Sequence, residues 1–347
     1  MGQASRILVK IALSVAVMAL LLVAGLIVTV NVSPRPFAWY VRRQFANGVG
    51  VTPVIPPVYP ELSQRVDLQK DIDYLSRFKN NQLDVFSPKD ATGPVPTVFW
   101  AHGGGFVGGD KAGMTTWATM IAANGYTVVS INYELAPQVH YPGPLLQLRE
   151  AYEFVKANHQ RFPTVDLHRL ILGGDSAGAQ LASQLIAMQT NAELAESMQL
   201  PAIIPGKDII AAILYCGPYD LRSLYDSDDW FGRFFVRQVG WAYFGIRDWR
   251  DTPQAMQAST VGHLNRNYPP TFITDGNTGS FEPDARKVDG KLRENGVYVD
   301  SLYYPLEHGK LNHEYQLDFS IPESIECYNR TLAFLRKVTA GKQSRGQ

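Results

Sequence analysis

The sequence predicts an α/β fold: a mostly parallel sheet with helices on both faces, edged by an antiparallel N-terminal hairpin and preceded by one transmembrane helix. Three observations predict it. From residue 71 onward, short apolar runs alternate with helix-compatible segments, the pattern of a sheet buried on both faces. Glycines cluster just after two of those runs, in His102-Gly103-Gly104-Gly105 and in Gly174-Asp175-Ser176-Ala177-Gly178. Ahead of all this, Ile11 to Val30 carries no charged residue.

That uncharged segment is dominated by Ala, Leu, Val and Ile. Twenty residues at about 1.5 Å each reach about 30 Å, the thickness of a bilayer core. The run exceeds the roughly 7–15 apolar residues of a cleaved signal, and Asn31-Val32-Ser33-Pro34 is a poor cleavage site, so residues 1–32 read as an uncleaved anchor. It lacks the polar face of a helix packed on a core. Arg6 and Lys10 on one side nearly balance Arg35, Arg42 and Arg43 on the other, so the positive-inside count slightly favours a cytoplasmic catalytic domain. Against this, a short tail before a single span is the common layout of an exported domain, and an extracytoplasmic domain is the expectation.

Residues 33–66 read as a juxtamembrane linker broken by Pro34, Pro36, Pro53, Pro56, Pro57 and Pro60, with a short helix at 37–46. Trp39 and Tyr40 in that helix suit either the headgroup layer or packing on the globular domain. One large domain then covers residues 67–340. Its expected strands are 71–75, 82–86, 97–101, 127–133, 169–172, 209–215, 271–274 and 297–304. Its expected helices are 114–123, 145–158, 177–189, 285–295 and 323–338. Asn124-Gly125 and Asn295-Gly296 are helix stops. No helix separates the first two strands, so they should pair as a hairpin. Residues 221–260 separate two strands and hold Trp230, Phe231, Phe234, Phe235, Trp241, Tyr243, Phe244 and Trp249. An insertion of that size reads as a cap, its aromatics forming a core with one or two facing a ligand.

Composition narrows the function classes. The chain has 347 residues, 46% of them hydrophobic and 18% charged, enough to bury a sizeable core. Its formal net charge is zero and no basic run appears, which argues against a nucleic-acid partner. Cys216 and Cys327 lie in different contexts and read as unpaired small apolar side chains. The seven histidines show no close-paired ligand spacing, and the glycine runs match neither the G-x-G-x-x-G nor the Walker pattern. Neither a metal nor a cofactor is expected.

The chemistry gathers around the glycine clusters. Gly174-Asp175-Ser176-Ala177-Gly178 follows Leu170-Ile171-Leu172 and precedes a helical stretch. A G-x-S-x-G at such a junction forces a sharp bend that holds the serine hydroxyl at the top of a sheet, ready to attack a carbonyl carbon. His102-Gly103-Gly104-Gly105 ends another strand, where backbone N–H groups are needed to hold an oxyanion. In an open parallel sheet, reacting groups collect at the carboxyl ends of strands. Residues 102–105 follow the third strand, Ser176 the fifth, residues 275–282 the seventh and residues 308–313 the eighth. The order serine, acid, histidine matches the α/β-hydrolase arrangement and excludes the chymotrypsin and subtilisin orders.

Together with Asn132-Tyr133-Glu134-Leu135-Ala136-Pro137 and Tyr141-Pro142, these motifs resemble those of the hormone-sensitive-lipase-like esterases of the α/β-hydrolase superfamily, over residues 71–335. The resemblance implies a carboxylesterase acting on a small-molecule ester through an acyl-enzyme. It makes Ser176 the nucleophile and the N–H groups of Gly104, Gly105 and Ala177 the oxyanion hole. His102 and Asp175 are expected to fix loops. Two histidines compete as base. His308-Gly309 looks like the family's His-Gly-Phe but lies three residues past Pro305. His313, 21 residues before Phe334, is closer to the superfamily's spacing and is the expected base. The acid departs from the pattern: Gly279 stands where the family's Gly-x-x-Asp-x-Leu has its Asp. Glu282, with a longer reach, is the expected acid, and Asp275 and Asp284 are alternatives. Rival readings are a lipid- or peptide-acting hydrolase of the same fold, and a non-catalytic binding protein on that scaffold, for which the displaced acid is the only support.

Overall fold

The computed structural model describes residues 2–45, 54–226 and 230–343; residues 46–53 of the expected linker and 227–229 of the expected cap lie outside the described residues. The strands are β1 (Val66–Asp73), β2 (Gln82–Pro88), β3 (Val95–Ala101), β4 (Thr127–Ile131), β5 (Val165–Asp175), β6 (Ile209–Tyr215), β7 (Thr271–Thr274) and β8 (Val299–Leu302). They form one sheet in the order β1-β2-β4-β3-β5-β6-β7-β8. The β1–β2 hairpin is antiparallel as expected, β2 is also antiparallel to β4, and the remaining pairs are parallel.

The helices are α1 (Gln3–Val32), α2 (Arg35–Gln44), α3 (Tyr59–Ser63), α4 (Thr115–Ala122), α5 (Gly143–Ala157), α6 (Ala177–Thr190), α7 (Ala192–Ser197), α8 (Trp230–Phe244), α9 (Pro253–Ala258), α10 (Glu282–Glu294) and α11 (Pro322–Gln343). Side chains alternate across each strand, so β3 feeds two cores. Val98 and Trp100 join Trp117 and Ile121 of α4 and Phe334 of α11 on one face. Phe99 and Ala101 join Leu148 and Tyr152 of α5 and Leu181 of α6 on the other. Burial on both sides is why these strands read as continuous apolar runs. Each large side chain so buried contributes roughly 1.5–3 kcal/mol.

Among the strand boundaries that differ from the sequence expectation, two differ for identifiable reasons. β1 starts at Val66 rather than 71 because its register jumps between Gln69 and Ile72, and Asp71 there takes φ 53°. The bulge breaks the alternation on which a strand is recognised. It is held by the Asp71 N–H donating to Asp84 Oδ1 at 2.8 Å and by Lys111 Nζ, 2.6 Å from Asp71 and 2.9 Å from the buried Asp84. β5 begins at Val165, ahead of the apolar run, because Arg169 and Asp166 neutralise each other at 2.6 Å at its polar start.

The N-terminal helices are joined to the body. Within α1, Ile7–Val32 is long and apolar enough to cross a membrane, and none of it is buried in the protein; being N-terminal, it also fits a signal sequence. Gln238 Nε2 on α8 donates to Val30 O at 3.0 Å, and Arg247 Nη2 reaches Asn31 Oδ1 at 3.2 Å. α2, expected inside a linker, packs on the globular domain. Its Phe37, Ala38 and Val41 are buried, and Phe37 meets the rings of Phe234 and Phe235 at 5.1 and 5.9 Å. Arg42 Nε donates to Val107 O at 2.7 Å, and its Nη2 donates to Ala136 O at 3.0 Å and Gln138 Oε1 at 2.8 Å. Trp39 and Tyr40 stay exposed on the other face.

Candidate active site

The site grows from the end of β5. Ser176 takes φ 49° and ψ −121° between β5 and α6, the sharp bend its motif predicts. Its N–H donates to Tyr215 O on β6 at 2.8 Å. Gly178 must be glycine: a Cβ there would lie 2.0 Å from Ala101 O. Asp175 is buried and accepts the Trp100 Nε1–H and the Gly103 N–H, both at 2.8 Å, tying the nucleophile turn to the glycine loop. Burial pushes its carboxyl up to about 6. His102 donates from Nδ1 to Gly103 O at 2.7 Å and stacks on Tyr133 at 4.4 Å, and the Tyr133 hydroxyl donates to His102 O at 2.8 Å. Both side chains therefore sit where loop-fixing groups were expected.

The glycine loop is equally constrained. Gly104 takes φ 116°, and a Cβ on it would lie 2.2 Å from Gly108 O. Its carbonyl accepts from the Val107 and Gly108 N–H groups, closing a tight turn. Among the described residues, no hydrogen bond takes the N–H groups of Gly104, Gly105 or Ala177. Gly105, Ser176 and Ala177 line one large cavity.

His313 faces Ser176 from the far end of the sheet, with Nε2 2.9 Å from Ser176 Oγ. Its other ring nitrogen, Nδ1, lies 2.7 Å from Ser280 Oγ, and the Ser280 hydroxyl donates to Asp275 Oδ1. Asp275 directly follows β7, is buried, and also accepts the Gly276 N–H at 2.7 Å; its Oδ2 has no partner among the described residues. The loop after β7 is stitched to the loop after β8. Asn277 Oδ1 accepts the Leu311 N–H at 2.9 Å, Asn277 Nδ2 donates to Gly309 O at 2.8 Å, and the Thr278 N–H donates to Leu311 O at 3.0 Å. Phe281 sets its ring edge-on to His313 at 5.1 Å. His313 keeps some exposure toward the cavity, but the protein around it disfavours the imidazolium and pushes its pKa down to about 4. Burial likewise pushes the Asp275 carboxyl well above the usual carboxylate range.

The cavity above these groups holds about 770 Å³, within the range of small-molecule sites. The 221–260 segment supplies more of its wall than the one or two aromatics expected: Phe231, Phe235, Tyr243 and Phe244 of α8 line it, and so does Trp249. Phe45, just past α2, closes one side, and Asp284 and Lys287 of α10 give it a polar end.

The BD-FAE family model matches residues 83–286. This chain belongs to the BD-FAE family. The esterase resemblance read from its motifs holds across its relatives. The BD-FAE member is 26% identical over 285 residues to the versiconal hemiacetal acetate esterase of Dothistroma septosporum, covering 79% of this chain and 81% of that one. It is 29% identical over 292 residues to esterase LipI of Mycobacterium tuberculosis, covering 82% and 85%. It spans 51% of the length of the probable carboxylic ester hydrolase LipM of Mycobacterium tuberculosis, at 28% identity and with 65% of this chain covered. Esterase B from Lactobacillus rhamnosis shares the fold, with a TM-score of 0.71 at 21% identity over 93% of this chain and 100% of that one.

Three residues weighed for the triad of this BD-FAE member are engaged away from His313. Glu282, the expected acid, opens α10 and turns along that helix: Arg286 Nε and Nη2 hold its Oε1 at 2.7 and 2.6 Å, the i,i+4 pairing of a helix surface. Asp284 instead accepts the Asp220 N–H at 2.9 Å and Lys287 Nζ at 3.2 Å. His308, the competing base, faces Glu323 at 2.7 Å on the surface. Ser280 and Phe45 escaped the sequence reading. A serine beside the vacated Gly279 position was the available signal for the first; nothing in the sequence pointed to the second. Cys216 and Cys327 are buried free thiols. Cys216, Asp275 and His313 each bring one donor atom within 4.8 Å of the others. Burial pushes the Cys216 thiol well up, which keeps it protonated and a poor ligand, and Ser280 engages the other two.

Proposed function

We propose that this chain is a serine carboxylic-ester hydrolase, held at a membrane by α1, that works through an acyl-enzyme. The observation that carries the reading is the 2.9 Å approach of His313 Nε2 to Ser176 Oγ on the floor of the cavity. Ser176 Oγ attacks the ester carbonyl carbon while His313 Nε2 takes its proton. The carbonyl oxygen becomes an oxyanion beside the N–H groups of Gly104, Gly105 and Ala177, each such donor lowering the barrier by about 3–4 kcal/mol. Collapse expels the alcohol, which leaves with the proton from Nε2. Water then gives a proton to Nε2 and its oxygen attacks the acyl carbon, releasing the acid and restoring the Ser176 hydroxyl. Protein groups supply every role, so the reading calls for no metal or cofactor.

Esters as the substrate class are supported by relatives named as a versiconal hemiacetal acetate esterase and esterase LipI. The aromatic cap wall supports an acyl chain in the cavity, with the alcohol toward Asp284 and Lys287. A lipid ester is favoured by Phe45, which lines the cavity directly after the juxtamembrane helix. The length and hydropathy of α1 support a single span, and the short tail ahead of it favours an extracytoplasmic catalytic domain. A fluorophosphonate probe should label Ser176 and fail to label Ser176→Ala. p-Nitrophenyl esters of rising chain length should be cleaved beyond acetyl; turnover confined to acetyl would remove the cavity as the acyl site. The full chain should sediment with carbonate-washed membranes, and its domain should be cleaved by protease added to intact cells.

A further inference from the structure

We propose that Ser280 is a positioning residue, interposed between Asp275 and His313, that fixes which ring nitrogen of His313 carries the hydrogen. This rests on the reading of Ser176 as nucleophile, and it adds a group that neither the motifs nor the relatives assign. A carboxylate bonded directly to the base is the usual device for orienting it. Here the position expected to carry that carboxylate is Gly279, and the nearest buried acid, Asp275, bonds Ser280 instead.

Counting hydrogens gives the role. Ser280 has one hydroxyl hydrogen, and it points at Asp275 Oδ1. Toward His313 Nδ1, 2.7 Å away, Ser280 Oγ can then only accept. Nδ1 must therefore carry the ring hydrogen, which leaves a lone pair on Nε2 facing the Ser176 hydroxyl at 2.9 Å. That is the tautomer a general base requires. Reversing the Ser280 hydroxyl would take one of its two donors from Asp275 Oδ1, leaving only the Gly276 N–H, and place the ring hydrogen on Nε2, where His313 could not accept a proton. When Nε2 takes the Ser176 proton, the imidazolium charge falls on the oxygen side of a hydroxyl polarised by Asp275. No proton passes to Asp275; what the ring meets is the Ser280 hydroxyl dipole, aligned by its bond to Asp275 Oδ1.

The surroundings hold this alignment. The hydrogen bonds from Asn277 and Thr278 to the 309–311 segment fix Ser280 and His313 relative to each other, and the Phe281 edge limits ring rotation. Asp275 Oδ1 is further held by the Gly276 N–H.

Steady-state kinetics on the full-length protein in detergent test the proposal. Ser280→Ala should lower kcat on the order of 10²-fold, a general-base-sized loss, with KM nearly unchanged and the melting temperature preserved. Ser280→Thr keeps the hydroxyl and should recover kcat to within about fivefold of the parent. Asp275→Asn should lose a similar factor, and the double variant should lose no more than the worse single one, as expected of groups acting as one unit. If Ser280→Ala does not fold, Ser280→Cys fills the same space with a weak donor and should show the same kcat loss. A folded Ser280→Ala or Ser280→Cys with kcat within about threefold of the parent overturns the proposal, as does additive loss in the double variant. Retained turnover in Ser176→Ala overturns the hydrolase reading itself; a dead Ser176→Ala beside a fully active Ser280→Ala overturns only the role of Ser280.

Discussion

The turn bearing Ser176 and the loop bearing Asp275 and Ser280 leave the same edge of one sheet, from β5 and β7, yet different forces shape them. The nucleophile turn is crowded. A Cβ at Gly178 would sit 2.0 Å from a backbone oxygen, and Ser176 itself is pressed to φ 49°. The acid loop is open where it matters: Gly279 has φ 58° but no atom within 4 Å of where its Cβ would stand. Its shape comes from hydrogen bonds to the histidine loop. Crowding dictates residue type at fixed spacing, so the first region is written as a motif. Hydrogen bonding between two loops leaves side-chain identity free, so the second can carry its polar groups at shifted positions.

The largest effects should fall on the crowded side. Ser176→Ala should lower kcat by at least about 10⁴-fold while leaving the fold intact, since the site's other groups cannot replace a nucleophile. Residual ester turnover above that level, with clean protein, would move the chemistry to another residue. Gly178→Ala should destabilise by about 3 kcal/mol or more in urea unfolding, because the clash is with backbone that cannot step aside. A folded, active Gly178→Ala would mean the turn is looser than its contacts indicate.

The same contrast explains how much was legible beforehand. β3, β6 and β7 were readable because burial on both faces makes apolar runs. β1 was displaced in the reading because Asp71, bonded to Asp84 and Lys111, interrupts the alternation with a bulge. The bends at Gly104, Gly105 and Ser176 were readable because few residue types fit their backbone. The approach of His313, rather than His308, to Ser176 was expected from its spacing to the last helix. Glu282 was misplaced because reach was considered without direction: as the first residue of α10 it points along the helix to Arg286. α2 was divided between membrane and domain; Phe37 packs on the domain while Trp39 and Tyr40 are exposed.

An intermediate effect separates burial from charge pairing. His313 must be neutral to accept a proton, and its surroundings push its pKa down to about 4. Activity should therefore persist through the range where an ordinary histidine, near 6.5, becomes charged, and fall as pH drops toward 4. The pH profile of kcat/KM for a neutral ester measures this, with near-ultraviolet circular dichroism reporting that the protein is still folded. A midpoint at 6.5 or above would mean that a carboxylate pairs with the ring directly.

Smaller effects belong to the open loop. Gly279→Ala meets no atom, so only the left-handed backbone opposes it, at about 1–2 kcal/mol. Urea unfolding beside Gly178→Ala measures the difference between strain alone and strain with collision; equal losses would erase the distinction between the two loops.

Glu282→Gln is the smallest change expected and the sharpest test of direction against reach. Its carboxylate lies on Arg286 of the same helix, and Arg286 is largely exposed, so solvent screens the pair. Losing it should cost no more than about 0.5 kcal/mol of stability. Because His313 Nδ1 is already occupied by Ser280, the substitution should leave kcat within about twofold, a barrier change well below 1 kcal/mol. A loss of 10²-fold or more would show that Glu282 turns inward when substrate binds, and Ser280 would then hold the imidazole only in the empty site.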